Sequence, residues 1–390
     1  MDGVEDHFVR GNTVPSLRPI LTTRSRLAAV VGGLFLVSAV ACAGKRVVTG
    51  NTPAHHTDEG FRNLHLPMEK QKKSLWSVMK MRFGEDWPDH EKEASSIPAV
   101  PLDLNRIHDP PGPQATWLGH STFLIQVDGL TILTDPVFSD RVSPVSWAGP
   151  LRYTTPVIQA DELPPIDVVV VSHNHYDHLD LPSIEAIGNQ ALWLVPLRNR
   201  TLLESVGVTN VVELDWWEAH TVGDWTFTAT PVQHWSARGL YDRLDALWSG
   251  WVGERKGFRF YFAGDTGYNA HDFKATGAKF GAFDLALIPI GAYEPAWFMK
   301  TMHINPEEAV RIHQEVGSRL SLAIHWGTFP LTAEAPDEPP RRLKKAAQDA
   351  GLAEDAFRAI PLGDTVLIPR RSAPIGATGS VEPTTEQTDG

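Results

Sequence analysis

Residues 168–179 read VVVVSHNHYDHL. The four consecutive valines form an apolar run bounded by polar residues, and this pattern predicts a fully buried strand that ends at Ser172. The residues from His173 onward therefore lie in the loop that leaves this strand. In a layered α/β fold such loops carry the chemistry, because their side chains converge just beyond the edge of the sheet.

This loop contains three histidines and one aspartate within six positions. Imidazole nitrogens and carboxylate oxygens are suitable ligands for Zn²⁺ and its neighbours in the first transition row. The spacing allows His173 and His175 to face one ion while Asp177 and His178 face a second. A single histidine pair would usually be a polar surface loop, but HxHxDH behind a hydrophobic strand favours a metal site. Tyr176 lies inside the same loop, where its hydroxyl either contacts a substrate or packs.

Other predicted strands also end close to histidine or aspartate. Short apolar strands precede His234, Asp265 and His325, and glycines on both sides of Asp265 let the backbone turn sharply there. Each such residue would be unremarkable by itself, but four strand ends of this kind in one domain predict two adjacent metal sites. The candidate ligands are His173, His175, Asp177, His178, His234, Asp265 and His325.

Upstream of the valine run, residues 115–125 predict a strand, a turn and a second strand. Asp128-Gly129 is a tight hairpin signal that returns the chain as a third strand. His120 and Asp135 each lie at the end of a strand in this region. Both can bond loop backbone, but we favour a role in orienting the metal ligands from behind.

Composition limits the classes of function. The chain has 390 residues, a formal net charge of -12, sixteen histidines and thirteen tryptophans. An acidic protein of this kind is not expected to bind nucleic acid, which requires a basic face. It can still bind a phosphate ester if metal ions supply the local positive charge.

The amino-terminal region predicts export. Positive charges precede an apolar stretch over residues 27–41, which is typical of a secretory signal peptide and short for a transmembrane helix. Small residues at Ala39 and Ala41 suit general cleavage, whereas Cys42 also fits a bacterial lipobox, whose cysteine is acylated. The sequence therefore predicts an exported cell-envelope protein, either lipid-anchored at Cys42 or secreted; an uncleaved anchor is the remaining alternative.

The predicted segments are a signal peptide (1–41), a linker and amino-terminal extension (42–100), a folded domain with the candidate metal ligands (101–369) and a disordered tail (370–390). The tail is too polar to bury a core. The extension predicts a solvated linker with one short helix near residues 75–83. We expect His55, His56 and His65 to be exposed there, without a partner at ligand spacing. The sequence carries no signal for the oligomeric state.

The order HxHxDH…H…D…H resembles that of the metallo-β-lactamase fold, an α/β four-layer αββα sandwich with a dinuclear site, over about residues 101–367. Strings outside the metal ligands resemble the N-acylphosphatidylethanolamine-hydrolysing phospholipase D group. They are WLGH (117–120), ELDWWE (213–218), QHW (233–235), AGDTGY (263–268), IPIGAYE (288–294), WFMK (297–300) and IHWGTF (324–329).

The resemblance implies that two Zn²⁺ ions are bound, although Mn²⁺ or Fe²⁺ can also occupy His/Asp sites. It implies that one ion is held by His173, His175 and His234, that the other is held by Asp177, His178 and His325, and that Asp265 bridges both. The expected reaction is attack of a metal-bridging hydroxide on phosphorus.

Three residues are candidates for a direct role in catalysis. We predict that Asp265 orients the nucleophile and that His303 donates a hydrogen bond or a proton to the phosphoryl or leaving oxygen; His303 can equally cap the following helix. Tyr176 is the third candidate catalytic residue. The expected substrate is a phospholipid at a membrane surface. The alternatives are a lactone or β-lactam hydrolase, or a non-catalytic metal-binding envelope protein.

Overall fold

A computed structural model of the chain describes residues 52–71 and 74–369. The predicted signal peptide, Cys42 and the predicted tail lie outside these residues. Within the described ranges, no helix combines the length and apolar character needed to cross a bilayer.

The described part of the chain contains two seven-stranded sheets. The first sheet consists of β1 (Gln114–Gly119), β2 (Thr122–Val127), β3 (Leu130–Thr134), β4 (Val168–Val170), β5 (Leu192–Pro196), β6 (Val211–Leu214) and β14 (Thr365–Leu367). The second consists of β7 (Ala219–Val222), β8 (Trp225–Thr230), β9 (Gly250–Arg255), β10 (Phe258–Phe262), β11 (Leu285–Pro289), β12 (Ser321–Ile324) and β13 (Phe357–Arg358). Their spatial orders are β14-β1-β2-β3-β4-β5-β6 and β13-β12-β11-β10-β9-β8-β7.

Helices flank the two sheets. They are α1 (Met68–Gln71), α2 (Leu75–Phe83), α3 (His90–Ala94), α4 (Leu104–His108), α5 (Leu181–Ile187), α6 (Arg200–Glu204), α7 (Asp272–Phe280), α8 (Ala296–Met299), α9 (Pro306–Val316) and α10 (Glu338–Asp349). Helix α9 shows why the sequence begins and ends a helix there. The Asn305 side chain accepts a hydrogen bond from the Glu308 backbone, Pro306 occupies the first turn, and Gly317 ends the helix at positive φ.

Strand β4 explains the valine run, because both of its faces are buried. Val168 and Val170 pack in the core between the two sheets, with residues such as Trp251 and Phe260 of the second sheet. Val169 and Val171 pack on the opposite face, with α5 and α6. A strand covered on both faces is apolar at every position. The α/β sandwich predicted from the sequence is confirmed.

The direction of the strands gathers their carboxyl ends at one edge. In the first sheet β1 and β3 both run antiparallel to β2, and β4 is parallel to β3. In the second sheet β8 and β10 both run antiparallel to β9, and β12 follows β11 in parallel with β10. The candidate residues follow these ends: His120 after β1, Asp135 after β3, residues 173–178 after β4, His234 after β8, Asp265 after β10 and His325 after β12.

Candidate metal centre

Three histidines form the first group of candidate ligands. The Nε2 atom of His173 lies 2.8 Å from Nδ1 of His175, which lies 3.3 Å from Nε2 of His234. Ser172 donates its hydroxyl to Asp135, so it accepts the Nδ1 proton of His173. His234 donates its own Nδ1 proton to the carbonyl of Met302. Both histidines therefore present Nε2 as a lone-pair donor.

The second group surrounds one carboxylate oxygen. Oδ2 of Asp177 lies 3.4 Å from Nε2 of His178, 3.3 Å from Nε2 of His325 and 3.0 Å from Nε2 of His120. These four side chains offer ligand atoms within 4.8 Å of one another. His120 therefore contacts Asp177, as an orienting residue would, and its Nε2 also lies among the candidate ligand atoms.

Asp265 lies between the two groups. Its Oδ2 atom is 3.0 Å from Nε2 of His325 and 3.3 Å from Nε2 of His178 in one group, and 3.7 Å from Nε2 of His234 in the other. This is the position that a bridging carboxylate requires. The structure thus brings together all seven residues for which the sequence predicts metal ligation.

Asp135 lies behind His178 and is fully buried. Its Oδ2 accepts a hydrogen bond from Nδ1 of His178 at 2.6 Å, and Oδ1 accepts one from the Ser172 backbone at 2.6 Å. The contact turns Nε2 of His178 toward the ligand group. A carboxylate behind a metal-binding imidazole has this function in many metal sites.

Electrostatics separate the histidines into two classes. Burial lowers the pKa of His175 and His234 to about 3, so both are neutral ligands at neutral pH. Burial by itself would lower the pKa of His178 and of His325. The nearby Asp265 carboxylate has the larger effect and raises both pKa values. The pKa of His325 rises to about 9, and that of His178 is raised well above its ordinary value. The same imidazoles outweigh burial at Asp177 and hold its carboxyl pKa well below its usual range.

The donor set fits divalent metal ions. Nε2 of His178, Nε2 of His325 and Oδ1 of Asp265 are buried and have no hydrogen-bond partner among the described residues. Buried polar atoms without partners are rare in native proteins. A pair of cations would satisfy these atoms and balance the two buried carboxylates, and the mixture of imidazole and carboxylate suits Zn²⁺, Mn²⁺ or Fe²⁺.

His303 lies next to the candidate ligands, whereas the hydroxyl of Tyr176 is bonded elsewhere. Nδ1 of His303 lies 3.8 Å from Oδ2 of Asp265 and has no hydrogen-bond partner within the described part of the chain. The cap of helix α9 is Asn305, so His303 is not needed for capping. The hydroxyl of Tyr176 donates to the carbonyl of Arg238 at 2.7 Å, and the Arg238 guanidinium stacks on the Tyr176 ring. This geometry favours the packing alternative for Tyr176.

The amino-terminal extension differs from the sequence-based expectation. His55 and His56 are buried, and both bond Asp215 through Nε2, so the prediction that they are exposed without a partner at ligand spacing is wrong. Their partner lies 160 and 159 positions away along the chain, which no local pattern reveals. His65 is exposed, as expected, but its Nε2 lies 3.5 Å from Oδ1 of Asp272 and its ring stacks on that of His271.

A small recess adjoins the second group of ligands. It is lined by His120, His325, Tyr153, Trp326, Phe329 and Leu331, among other residues. Its volume, about 30 Å³, accommodates a water molecule but not a hydrocarbon chain.

Comparison with known proteins agrees with this geometry. Residues 131–326 match the family described as "Beta-lactamase superfamily domain". The chain is 42% identical over 309 residues to "N-acyl-phosphatidylethanolamine-hydrolyzing phospholipase D 1" of Caenorhabditis elegans, covering 74% of this chain and 85% of that protein. It is 36% identical over 306 residues to the mitochondrial "N-acyl-phosphatidylethanolamine-hydrolyzing phospholipase D" of Saccharomyces cerevisiae, covering 74% and 65% respectively.

A solved structure shows the same fold. The crystal structure of a "possible metal-dependent hydrolase" from Veillonella parvula superposes with a TM-score of 0.54 at 18% identity, and covers 66% of this chain and 100% of that chain. The chain therefore belongs to the metallo-β-lactamase superfamily and is a metal-dependent hydrolase. Within the superfamily it is a homologue of the N-acyl-phosphatidylethanolamine-hydrolysing phospholipases D, which confirms the resemblance seen in its sequence motifs.

Proposed function

We propose that this protein is a zinc-dependent phosphodiesterase that hydrolyses N-acylphosphatidylethanolamine-like phospholipids to phosphatidic acid and N-acylethanolamine. The observation that carries the proposal is the position of Asp265 between two histidine-rich groups, in a chain 42% identical to a protein named for this reaction. Two ions held there would acidify a water molecule and stabilise the charge that develops on the phosphoryl oxygens.

The residues of this chain would then orient and bind. His173, His175 and His234 would hold one ion, and Asp177, His178 and His325 the other. Asp265 would hold the pair together and orient the attacking water.

His303 would contact the substrate. Burial lowers the pKa of its imidazole to about 3, so the ring is neutral at neutral pH. It can therefore donate one N–H to a phosphoryl or leaving oxygen, and this role is better supported than direct proton donation by an imidazolium. The bond broken is that between phosphorus and the ethanolamine oxygen, and water supplies the hydroxyl of phosphatidic acid and the proton of the alcohol.

The surface beside the centre is suited to a lipid. Trp76 is 78% exposed, Phe83 is 66% exposed and Trp297 is 48% exposed. Lys80 of the same helix, α2, lies over the Trp297 ring, which places α2 next to the segment that leads to His303. Aromatic and basic side chains together are typical of proteins that bind at a membrane surface. We propose that acyl chains stay in or near the membrane while the head group reaches the metals.

The first test is lipid hydrolysis. Protein loaded with Zn²⁺ is incubated with N-acylphosphatidylethanolamine, and mass spectrometry measures phosphatidic acid and N-acylethanolamine, with Asp265→Asn as the control. We expect both products from the natural chain and neither from the variant. Protein that holds two metals but releases no product, while it opens a lactone or β-lactam, would overturn the lipid assignment.

Metal identity and stoichiometry are tested separately, by elemental analysis of protein purified without added metal. We expect about two equivalents of zinc per chain. A single equivalent, or a predominance of iron or manganese, would contradict this part of the proposal.

The proposed membrane-binding surface of the protein is tested separately. Replacing Trp76, Phe83 and Trp297 together with serine should reduce hydrolysis of vesicle lipid at least about tenfold, because their apolar area no longer enters the interface. Hydrolysis of a short-chain, monomeric analogue should be unchanged. The matched control is Leu367→Ser, which removes an apolar side chain that is 54% exposed on strand β14. Equal losses on both substrates would contradict a membrane role.

We propose in addition that the protein is exported and attached to the cell envelope through acylated Cys42. The support is the apolar stretch 27–41 followed by the single cysteine of the chain. Cell fractionation of the natural chain and Cys42→Ala tests it: the natural chain should partition with membranes and the variant should not. Recovery of the natural chain among cytoplasmic proteins would contradict export.

A further inference from the structure

Residues 52–71 form a segment, here called the amino-terminal segment, that packs on the hydrolase domain. Phe61 is 2% exposed and joins the core between the sheets. Its backbone N–H donates to the carbonyl of Leu244. Gly60 lies against the same carbonyl, so closely that a side chain there would clash with it. The segment is therefore part of the folded unit rather than a solvated linker.

One end of the segment is held by a buried cluster of His55, His56 and Asp215. Nε2 of His55 lies 2.6 Å from Oδ1 of Asp215, and Nε2 of His56 lies 2.7 Å from Oδ2. The His55 ring also stacks on Trp216. These distances are those of short hydrogen bonds to a carboxylate. Removing either side leaves buried polar atoms unpaired, which is more costly than losing an exposed bond.

The other end of the segment contacts a candidate metal ligand. Asn63 is 4% exposed, and its Nδ2 donates to the main-chain carbonyl of His234 at 2.8 Å. Gln71, which is fully buried, holds Asn63 by accepting its backbone N–H at 3.0 Å. The imidazole of His234 is held separately, by its hydrogen bond to the carbonyl of Met302. Asn63 thus fixes the backbone of His234 while Met302 fixes its ring.

Through Arg243, the same segment is also linked to the residue after His234. The guanidinium of Arg243 donates to the carbonyl of Gln71 at 2.7 Å and stacks on the ring of Trp235. The Trp235 ring in turn lies against His175, another candidate ligand. The amino-terminal segment therefore reaches the first ligand group by two routes, one through Asn63 and one through Arg243, and Gln71 takes part in both.

We propose that Asn63 is a positioning residue for the metal ligand His234, and that the His55–His56–Asp215 cluster holds Asn63 in place. The inference rests on the metal pair of the proposed function. The physical basis is that a ligand fixed in advance loses less freedom on binding, so partners of metal ligands contribute to metal affinity. The amino-terminal segment is then required for a complete metal centre as well as for stability.

The test compares two matched variants. Asn63→Ala removes the bond to His234. Asn199→Ala removes a similar buried amide that donates to the carbonyl of Pro196 at 2.8 Å and contacts no candidate ligand. Zinc affinity is measured by competition with a chelator, and thermal unfolding midpoints are measured on the metal-free proteins. We expect a loss of about 10- to 100-fold in affinity for one of the two ions in Asn63→Ala only. Unchanged affinity for both ions would overturn the proposal.

The cluster is tested with Asp215→Asn and with the double change His55→Gln, His56→Gln. Both should lower the affinity for the same ion as Asn63→Ala does, and combining either with Asn63→Ala should add little, because coupled residues are not additive. Loss of thermal stability with full zinc affinity would overturn the role of the cluster. So would a third zinc equivalent that disappears in the double variant, since the cluster would then be a metal site of its own.

Zinc binding by the natural chain distinguishes a failure of the proposed metal pair from a failure of the positioning inference. If it does not bind two ions, the proposed metal pair fails. If it binds two ions and the Asn63 and cluster variants bind them equally well, only the positioning inference fails.

Discussion

Oδ2 of Asp265 lies 3.0 Å from Nε2 of His325, at the point where the two groups of candidate ligands meet. The neighbouring imidazoles outweigh burial and hold the Asp265 pKa well below its usual range. Asp265 is therefore a permanent negative charge in a buried site, which is what a cation pair requires.

Replacing this charge should disable the centre. In Asp265→Asn we expect a fall of more than about 100-fold in both zinc affinity and hydrolysis, because the change removes a ligand rather than one of its supports. Chelator competition and turnover are the measurements. The control is Asp272→Asn, a buried carboxyl outside the ligand groups, which should keep both ions. Full metal occupancy in Asp265→Asn would show that the carboxylate does not bridge.

Zinc binding should release protons. In the metal-free protein the pKa of His325 is about 9 and that of His178 is raised well above its ordinary value, so both rings are protonated at neutral pH. A metal must displace these protons, so affinity falls as pH falls and rises toward pH 9. We expect a change of at least about tenfold per pH unit between pH 6 and 8.

Calorimetric zinc titrations in buffers of different ionisation enthalpy measure the number of protons released. An affinity independent of pH, with no proton release, would show that His178 and His325 are neutral before the metal binds.

His303 should affect turnover more than metal binding. We expect His303→Ala to lower kcat about 100-fold, the usual effect of losing one hydrogen bond to a developing charge. His303→Gln should restore part of this loss, because its amide supplies an N–H in nearly the same place. Both variants should retain two zinc ions by elemental analysis. Loss of an ion would instead assign His303 as a ligand.

The hydroxyl of Tyr176 should be dispensable for chemistry. It donates to the carbonyl of Arg238, so Tyr176→Phe removes one internal hydrogen bond, at a cost of about 1 kcal/mol of folding free energy. We expect kcat within about threefold of the natural value, because the hydroxyl does not point at the ligands. Steady-state kinetics and denaturant unfolding measure the two effects. A hundredfold loss of kcat at unchanged stability would return Tyr176 to a catalytic role.

Gly264 allows the two sheets to approach each other closely at the edge where the candidate ligands lie. It has φ of +59°, and a side chain there would clash with the Cβ atom of Ser172. We expect Gly264→Ala to lower the free energy of unfolding by about 1–3 kcal/mol, as overpacking does, and to weaken zinc binding because Asp265 is displaced. Gly281→Ala is the matched control, with φ of +72° and no backbone or apolar neighbour within contact distance. Equal effects of both changes would assign the loss to φ alone.

Much of the fold and of the candidate site was predictable because the signals are local. Valine at four successive positions requires a strand covered on both faces, and β4 is such a strand. A histidine or an aspartate follows each of the strands β8, β10 and β12. These residues lie at one edge of the sheet because the three strands run in the same direction. Strand period and turn chemistry are properties of neighbouring residues, so the sequence displays them directly.

Only the tertiary structure decided the contacts between distant segments. Nothing near His55 or His56 indicates that both pair with Asp215, and nothing near Asn63 indicates that it bonds His234, 171 positions away. The hydroxyl of Tyr176 is likewise directed by Arg238. Which polar groups meet in a core depends on how whole sheets and segments pack, and that packing is set by the summed burial of many side chains. The sequence by itself determined the candidate ligands and the two residues behind them, His120 and Asp135, and the tertiary structure determined which distant segments hold them in place.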